Sequence, residues 1–218
     1  MNPQTTDPID DDSAPTESAV SRKAKAKPGQ RRMEILQAFA AMLEQPMAER
    51  VTTAALAKRL GVSEAALYRQ FASKAQMLDA LITFTEDSLL GLAAKVGEPG
   101  ADGVDGRAAC GQIVWLALQF AQANPGMVRV LVGDALVFEQ ARLTERVGLL
   151  FEKLEAVLRA HWRHWAGQQG LATPTADAQV RAALLPIYLR GVLHAFVRSD
   201  WKHLPTQGSD AHLETLLG

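Results

Sequence analysis

The sequence has very little cysteine and none of the common linear motifs of enzymes. Its one cysteine, Cys110, excludes an internal disulfide framework and a cysteine-rich zinc site. We interpret Cys110 as a small apolar residue of the core. A glycine-rich phosphate loop followed by Lys-Ser/Thr, a dinucleotide glycine fingerprint and a nucleophile elbow are all missing. We therefore predict that the protein is not an enzyme and uses no cofactor.

Long apolar runs and alternating patterns are also missing. No run of about 18 apolar residues occurs, so the sequence predicts no membrane span. The polar, acidic N-terminus lacks the apolar region of a secretory signal, and we expect a cytoplasmic protein. No segment alternates convincingly with period two, while 48% of the residues are hydrophobic. The chain is therefore predicted to be all-α and able to bury a sizeable core.

Metal-ligating residues occur, but their spacing does not indicate a metal site. His161 and His164 lie three apart on a predicted helix without an evident third ligand. We favour solvated or interface histidines. Asp102 and Asp105 lie in a predicted loop, 97–106, without the spacing of a calcium-binding loop. We interpret this loop as a flexible connector and predict no bound metal.

Charge of one sign is concentrated in one block of the chain. Residues 1–21 carry five acids and no bases, whereas residues 22–78 carry eleven bases against four acids, a net charge of +7. Residues 79–218 carry twelve bases against fifteen acids, a net of −3. Because a phosphate backbone is neutralised by local charge, the basic block is the part suited to nucleic acid.

Residues 1–29 are rich in Pro, Ser, Thr, Asp and Ala, and we predict that they are disordered. The acidic half could compete with DNA for the basic half, or it could be a passive solubilising tail; we favour the passive tail. The basic half is predicted to be an arm that touches phosphates or a groove.

Residues 51–71 predict two short helices around a glycine. Thr52 or Thr53 can cap the first helix, and Gly61 can take the left-handed conformation that ends it. Ser63 caps a second helix, predicted over 64–71. In that helix the apolar residues face inward, and the outer face holds Glu64, Ala65, Tyr68 and Arg69. This is a helix-turn-helix plan, whose second helix would enter the major groove.

The remaining helical patterns divide the chain into a DNA-binding domain over 30–78 and a larger helical domain over 79–218. A bracing helix precedes the helix-turn-helix. Helices are predicted over 31–44, 74–94, 107–123, 139–165, 176–201 and 210–217. The last two long helices are predicted to form a dimer face.

Residues 35–81, and above all YRQFASK at 68–74, resemble the TetR family of dimeric helix-turn-helix regulators. The phrases ANPGMVRVLVGDALVFEQARL and AFVRSDWKHLPT resemble its SlmA-type nucleoid occlusion factors. The likeness covers nearly everything after Gln30. It implies a homodimer on palindromic double-stranded DNA, with half-sites about one helical turn, roughly 34 Å, apart.

The resemblance also implies roles for individual residues. Arg69 would read a base edge, since a guanidinium donates twice to guanine. Phosphate contacts fit Thr52, Thr53, Ser63, Tyr68 and Lys74, although Thr53 and Ser63 could simply cap helices and Tyr68 could simply pack. Ala65 and Ala66 would allow close approach to base edges, and Arg31 and Arg32 are further DNA-binding candidates.

SlmA-type proteins imply a function beyond DNA binding. Once on DNA they antagonise polymerisation of FtsZ, the tubulin-like division GTPase, and so keep the septum off the nucleoid. The FtsZ C-terminal tail would dock in an apolar groove with a basic edge at Phe84, Leu116 and Asn124. Phe84 and Leu116 could equally be plain core residues.

A second function remains open at this stage. The chain could be a TetR-like repressor released by a small apolar ligand held among Trp115, Phe120, Trp162 and Tyr188. A preformed cavity of several hundred cubic ångströms would favour the repressor, whereas a filled core would favour the docking protein.

Overall fold

The computed structural model describes residues 28–45 and 51–218. These residues form α-helices and one short 3-10 turn, Asp134–Leu136, and contain no strand, which confirms the predicted all-α fold. The helices are α1 (Pro28–Leu43), α2 (Thr53–Leu60), α3 (Glu64–Tyr68), α4 (Lys74–Val96), α5 (Gly106–Ala123), α6 (Pro125–Leu131), α7 (Ala141–Gln168), α8 (Pro174–Arg198) and α9 (Ser209–Leu217).

The turn between α2 and α3 forms because Gly61 ends the first helix and Ser63 begins the second. Gly61 adopts φ 65° and ψ 37°, and its amide donates to the carbonyl groups at the end of α2. Val62 N donates to the Ala57 carbonyl at 3.0 Å, which completes the helix end. Ser63 then accepts a hydrogen bond from Ala66 N at 3.2 Å and opens α3.

Helix α3 ends three residues earlier than predicted, at Tyr68 instead of Phe71. Ser73 begins α4 by accepting from Gln76 N at 3.2 Å, and the Gln76 side chain accepts from Ala72 N at 2.9 Å. These bonds favour a turn over continued helix. Phe71 therefore leaves the helix but remains buried in the core.

Other predicted boundaries also shift. Helix α1 begins at Pro28, so the predicted disordered tail was too long by two residues; residues 1–27 lie outside the described part of the chain. Helix α7 starts at Ala141 instead of position 139. Helix α8 ends at Arg198 instead of position 201 because the chain then enters positive φ, 49° at Asp200 and 66° at Trp201.

Helices α7 and α8 pack along each other and hold the core of the second half of the chain. Trp162 on α7 is buried and donates through Nε1 to Asp177 Oδ2 on α8 at 2.6 Å. Cys110 on α5 is buried, as predicted, and its Sγ donates to the Leu158 carbonyl of α7 at 3.3 Å. Burial raises the pKa of the Cys110 thiol to about 12, so it remains protonated.

Of the two alternatives given for the histidines, solvated or interface, the first was wrong for His161, which is 1% exposed. The backbone of α5 covers it, since a Cβ at Gly106 would overlap the His161 carbonyl oxygen. Burial lowers the pKa of His161, while Glu98 opposes the shift and His164 adds to it. His161 is therefore a neutral core residue.

One described helix, α8, is long and apolar enough to span a membrane by length and composition alone. Core helices of water-soluble folds pass the same test. Helix α8 buries Leu185, Leu189 and Leu193 inside the protein and packs on α7. We therefore interpret it as a packed helix of the second domain.

Candidate nucleic-acid interface

The outward face of α3 holds the residues predicted to meet DNA. Ala65, Tyr68 and Arg69 are exposed, and Ala66 is half-buried. Leu67, on the opposite face, is buried in the core of the module. The small alanines leave the backbone accessible, and Arg69, directly after the helix, carries a donor pair that matches the major-groove edge of guanine. The structure thus brings together the predicted base-reading set.

A hydrogen-bonded trio fixes α3 against the start of α2. Thr53 Oγ1 donates to Glu64 Oε2 at 2.9 Å and lies 3.2 Å from the Tyr68 hydroxyl. Because the single O–H of Thr53 donates to Glu64, the Tyr68 hydroxyl is the donor in the second hydrogen bond. Thr53 and Tyr68 therefore orient α3. Glu64, which the sequence analysis placed on the outer face without a role, belongs to the same hydrogen-bonded group.

The two capping hydroxyls keep a donor that can reach phosphate. Thr52 accepts from Ala55 N at 3.1 Å, and Ser63 accepts from Ala66 N. Both side chains are exposed, and each hydroxyl still has its own O–H to donate. Capping and phosphate contact are therefore compatible at these positions.

Three predicted cationic contacts have protein partners. Lys74 Nζ lies 2.9 Å from Glu139 Oε1, which precedes α7, and both side chains are largely buried. Arg31 Nη1 lies 2.8 Å from Glu34 Oε2. Arg32 donates to the Gln70 carbonyl and stacks 4.0 Å above the Phe71 ring. These partners give Lys74 and Arg32 structural roles that were not anticipated.

Two exposed bases in the last turn of α2, Lys58 and Arg59, were missed as candidate contacts. The first helix of a helix-turn-helix crosses the DNA backbone, so exposed bases there suit phosphates. The signal was present in the sequence as a Lys-Arg pair before the turn glycine. Arg69, beyond α3, is a third exposed base of the module.

The predicted docking groove of the second domain lies along α4 and α5, which pack together. Phe84 is 39% exposed, Leu116 is half-buried, and Asn124 Nδ2 donates to the Phe120 carbonyl at 2.7 Å and caps α5. Beside these residues the two helices carry no positive charge, since residues 83–94 and 112–124 contain no Lys or Arg, and the basic edge stays a prediction. Arg146 and Lys153 of α7 reach α4, where both pair with Glu86.

The four aromatic residues proposed for a ligand pocket line neither of the two cavities described in the second half of the chain. Trp162 is buried against Asp177, Trp115 is exposed, and the Tyr188 hydroxyl lies 3.2 Å from His212 Nδ1. Open cavities of about 490 and 260 Å³ are lined by other residues. Trp162 belongs to the buried core and not to the lining of either cavity, which does not favour the ligand-released repressor.

Two family models match the chain. Residues 35–81 match bacterial regulatory proteins of the TetR family, and residues 107–217 match a tetracyclin repressor-like C-terminal domain of SlmA-like type. The chain is 45% identical over 183 residues to the nucleoid occlusion factor SlmA of Vibrio cholerae, covering 84% of this chain and 91% of that protein. It is 46% identical over 182 residues to SlmA of Klebsiella pneumoniae, covering 83% and 90%.

Solved structures agree on the fold. The regulator FadR of Bacillus subtilis, crystallised with stearoyl-CoA, superposes with a TM-score of 0.67 at 14% identity, over 85% of this chain and 97% of FadR. The TetR-family regulator PfmR of Thermus thermophilus gives 0.61 at 20% identity, over 84% and 96%. Both likenesses concern the arrangement of helices.

Proposed function

The chain belongs to the TetR family and, within it, to the SlmA-type nucleoid occlusion factors, and on this premise we propose a two-part activity. As a homodimer it binds palindromic double-stranded DNA and, once bound, inhibits FtsZ polymerisation, so that no septum forms over the chromosome. The observation that carries this proposal is the likeness to SlmA across both halves of the chain. The protein would act in the cytoplasm, on the nucleoid, without catalysis or cofactor.

Residues 30–78 would carry the DNA contact. Arg69 would read a base edge, Ala65 and Ala66 would allow close approach, and Lys58 and Arg59 would meet phosphates. Thr52 and Ser63 would add hydroxyl donors to phosphate. Thr53 and Tyr68 would hold the reading helix at the angle that their mutual hydrogen bond sets.

Residues 79–218 would carry the dimer and partner surfaces. Helix α8 exposes Val180, Leu184 and Ile187, which are spaced four and three apart on one face, with Ile187 64% exposed. An apolar stripe of this kind on a family of dimers is the surface expected to meet its own copy. The FtsZ tail would dock beside Phe84 and Leu116, near Asn124.

The ligand-released repressor is the weaker function. It requires a pocket among Trp115, Phe120, Trp162 and Tyr188. The cavity of about 490 Å³ has the size of a small-molecule site, but it is lined by Pro99, Ala160, Arg163, His164, Gly167 and Gln168. The likeness to SlmA across both halves of the chain favours a protein-docking role for the second domain.

The proposed function is tested by sedimentation of purified FtsZ polymer with the protein alone and with its DNA site. We expect little change in pelleted FtsZ without DNA and a clear loss of polymer with DNA. A scrambled duplex of equal length is the control. An equal effect of both duplexes, or none from the specific site, would overturn the proposal.

Arg69→Ala is expected to weaken specific DNA binding by about 10-fold or more while changing nonspecific binding much less. The reason is that a bidentate base contact is worth about 1–3 kcal/mol of discrimination, whereas one phosphate contact is shared by all sequences. Fluorescence anisotropy on the specific site and on a scrambled duplex would measure both affinities. The matched change Arg59→Ala should weaken both duplexes alike. Equal losses for Arg69→Ala would sink its base-reading role.

A further inference from the structure

The C-terminal end of α1 is held by side chains from the second half of the chain. The last carbonyl groups of a helix have no partner inside the helix. Here Trp201 Nε1 donates to the Glu44 carbonyl at 2.8 Å, and Arg129 Nη1 donates to the Gln45 carbonyl at 2.7 Å. The cap of α1 is therefore built from residues far along the sequence.

The two capping side chains are themselves held rigidly. Arg129 is 4% exposed, and its guanidinium lies 5.2 Å from the centroid of the Trp201 ring. Trp201 packs edge-on against Phe196 of α8 at 4.9 Å. Trp201 is a non-glycine residue at φ 66°, a conformation that persists only where surrounding contacts enforce it. The indole is thus fixed to the second domain before it meets α1.

A close backbone contact also joins α1 to the second domain, and we call this contact and the two capping bonds the junction. A Cβ at Gly126, at the start of α6, would overlap the carbonyl oxygen of Ala40 on α1. Only glycine allows the two helices to approach so closely. Gly126 therefore fixes how closely α6 docks on α1.

At its other end, α1 is tied to the reading helix. Arg32 donates to the Gln70 carbonyl and stacks on Phe71, immediately beyond α3. Ile35 and Phe39 of α1 are buried in the same core as Leu67 of α3. Helix α1 therefore connects the capping residues of the second domain to the end of the reading helix.

We propose that Gly126, Arg129 and Trp201 are positioning residues that set the distance between the two reading helices of the dimer, and so the half-site spacing that the protein accepts. Helix α4 links the two domains covalently and packs on α5, α6 and α7, and α1 adds an attachment of its own through its packing on α6. The DNA-binding module is therefore held to the second domain through two helices. The inference rests on the proposed binding of a dimer to palindromic DNA.

The test is selection of binding sites from a random-sequence duplex library by the full-length protein. Trp201→Phe removes one hydrogen-bond donor from the junction. Its control is Trp162→Phe, which removes an indole hydrogen-bond donor that pairs within the second domain only. We expect wild type and Trp162→Phe to enrich one half-site sequence at one spacing. Trp201→Phe should enrich the same half-site over a broadened range of spacings.

The size of the loss in spacing preference is measured from the affinities for sites lengthened or shortened by one base pair. Loss of a single hydrogen bond of this kind should reduce the preference for the optimal spacing by roughly threefold to tenfold. Gly126→Ala, which pushes α6 from α1, should shift the preferred spacing. Its control is Gly106→Ala, which creates a comparable backbone overlap between α5 and α7 only.

The outcomes separate this inference from the proposed function. If wild type enriches no paired half-sites, the proposed dimeric DNA binding fails. If wild type shows one spacing and both Trp201→Phe and Gly126→Ala keep it, the positioning role is overturned. The role is equally overturned if Trp162→Phe or Gly106→Ala broadens the spacing as much as its partner variant, since general loosening would then explain the effect.

Discussion

Ile187→Asp is expected to convert the dimer into monomers and to weaken binding to palindromic DNA by more than about 100-fold. In a twofold interface the same position comes from both copies, so one substitution places two carboxylates in the contact. Burying unpaired charges costs several kcal/mol, and a monomer also loses the gain from binding two half-sites together. Analytical ultracentrifugation and gel-shift titration would measure the two effects.

Leu204→Asp is the matched control for Ile187→Asp. Leu204 is also an exposed large apolar residue, but it lies after α8 and off the stripe of Val180, Leu184 and Ile187. We expect it to remain dimeric and to bind DNA like wild type. A dimeric Ile187→Asp protein with unchanged DNA affinity would show that the α8 stripe is not the dimer face.

Phe84→Asp is expected to raise the protein concentration required for DNA-dependent inhibition of FtsZ by more than about 10-fold. Its DNA affinity should be unchanged. An exposed aromatic anchor in an apolar docking groove carries a large share of binding energy, and a carboxylate there would also repel an acidic peptide. Sedimentation of FtsZ polymer with the protein and its DNA site would measure inhibition, and anisotropy would measure DNA affinity.

Leu171→Asp is the control for Phe84→Asp because the two side chains are nearly equally exposed, 40% and 39%, while Leu171 lies in the loop between α7 and α8. It should inhibit FtsZ like wild type. Full inhibition by Phe84→Asp would place the docking surface elsewhere. A simultaneous loss of DNA binding would show that Phe84 supports the fold of the module.

The helix-turn-helix could be predicted because its determinants are local. Thr52, Gly61 and Ser63 act on amides and carbonyls within four or five residues, so their chemistry is readable from sequence order alone. The all-α character and the core face of α3 follow from short periodic patterns for the same reason. The prediction that α3 continues to Phe71 was wrong, because hydrogen bonds made by Ser73 and Gln76 begin α4 just after Phe71.

Sequence did not predict the partners that lie far along the chain. Lys74, which stays a predicted phosphate contact, pairs with Glu139. Arg32, which stays a DNA candidate, donates to a carbonyl 38 residues away. His161, expected to be solvated or at an interface, is buried where α7 meets α5. A single sequence shows which side chains are charged or polar, but it does not show which distant residue each of them contacts in the fold.

By itself the sequence determined where the helix-turn-helix lies, which residues cap its helices, and through its resemblance which family the chain joins. Tertiary structure alone decided how α1, which braces that module, is held by the second domain. The Glu44 carbonyl and the Trp201 indole that caps it are 157 residues apart, and nothing local links them. Hydrogen bonds and backbone approach act through space, so only the folded chain identifies Gly126, Arg129 and Trp201 as parts of one junction.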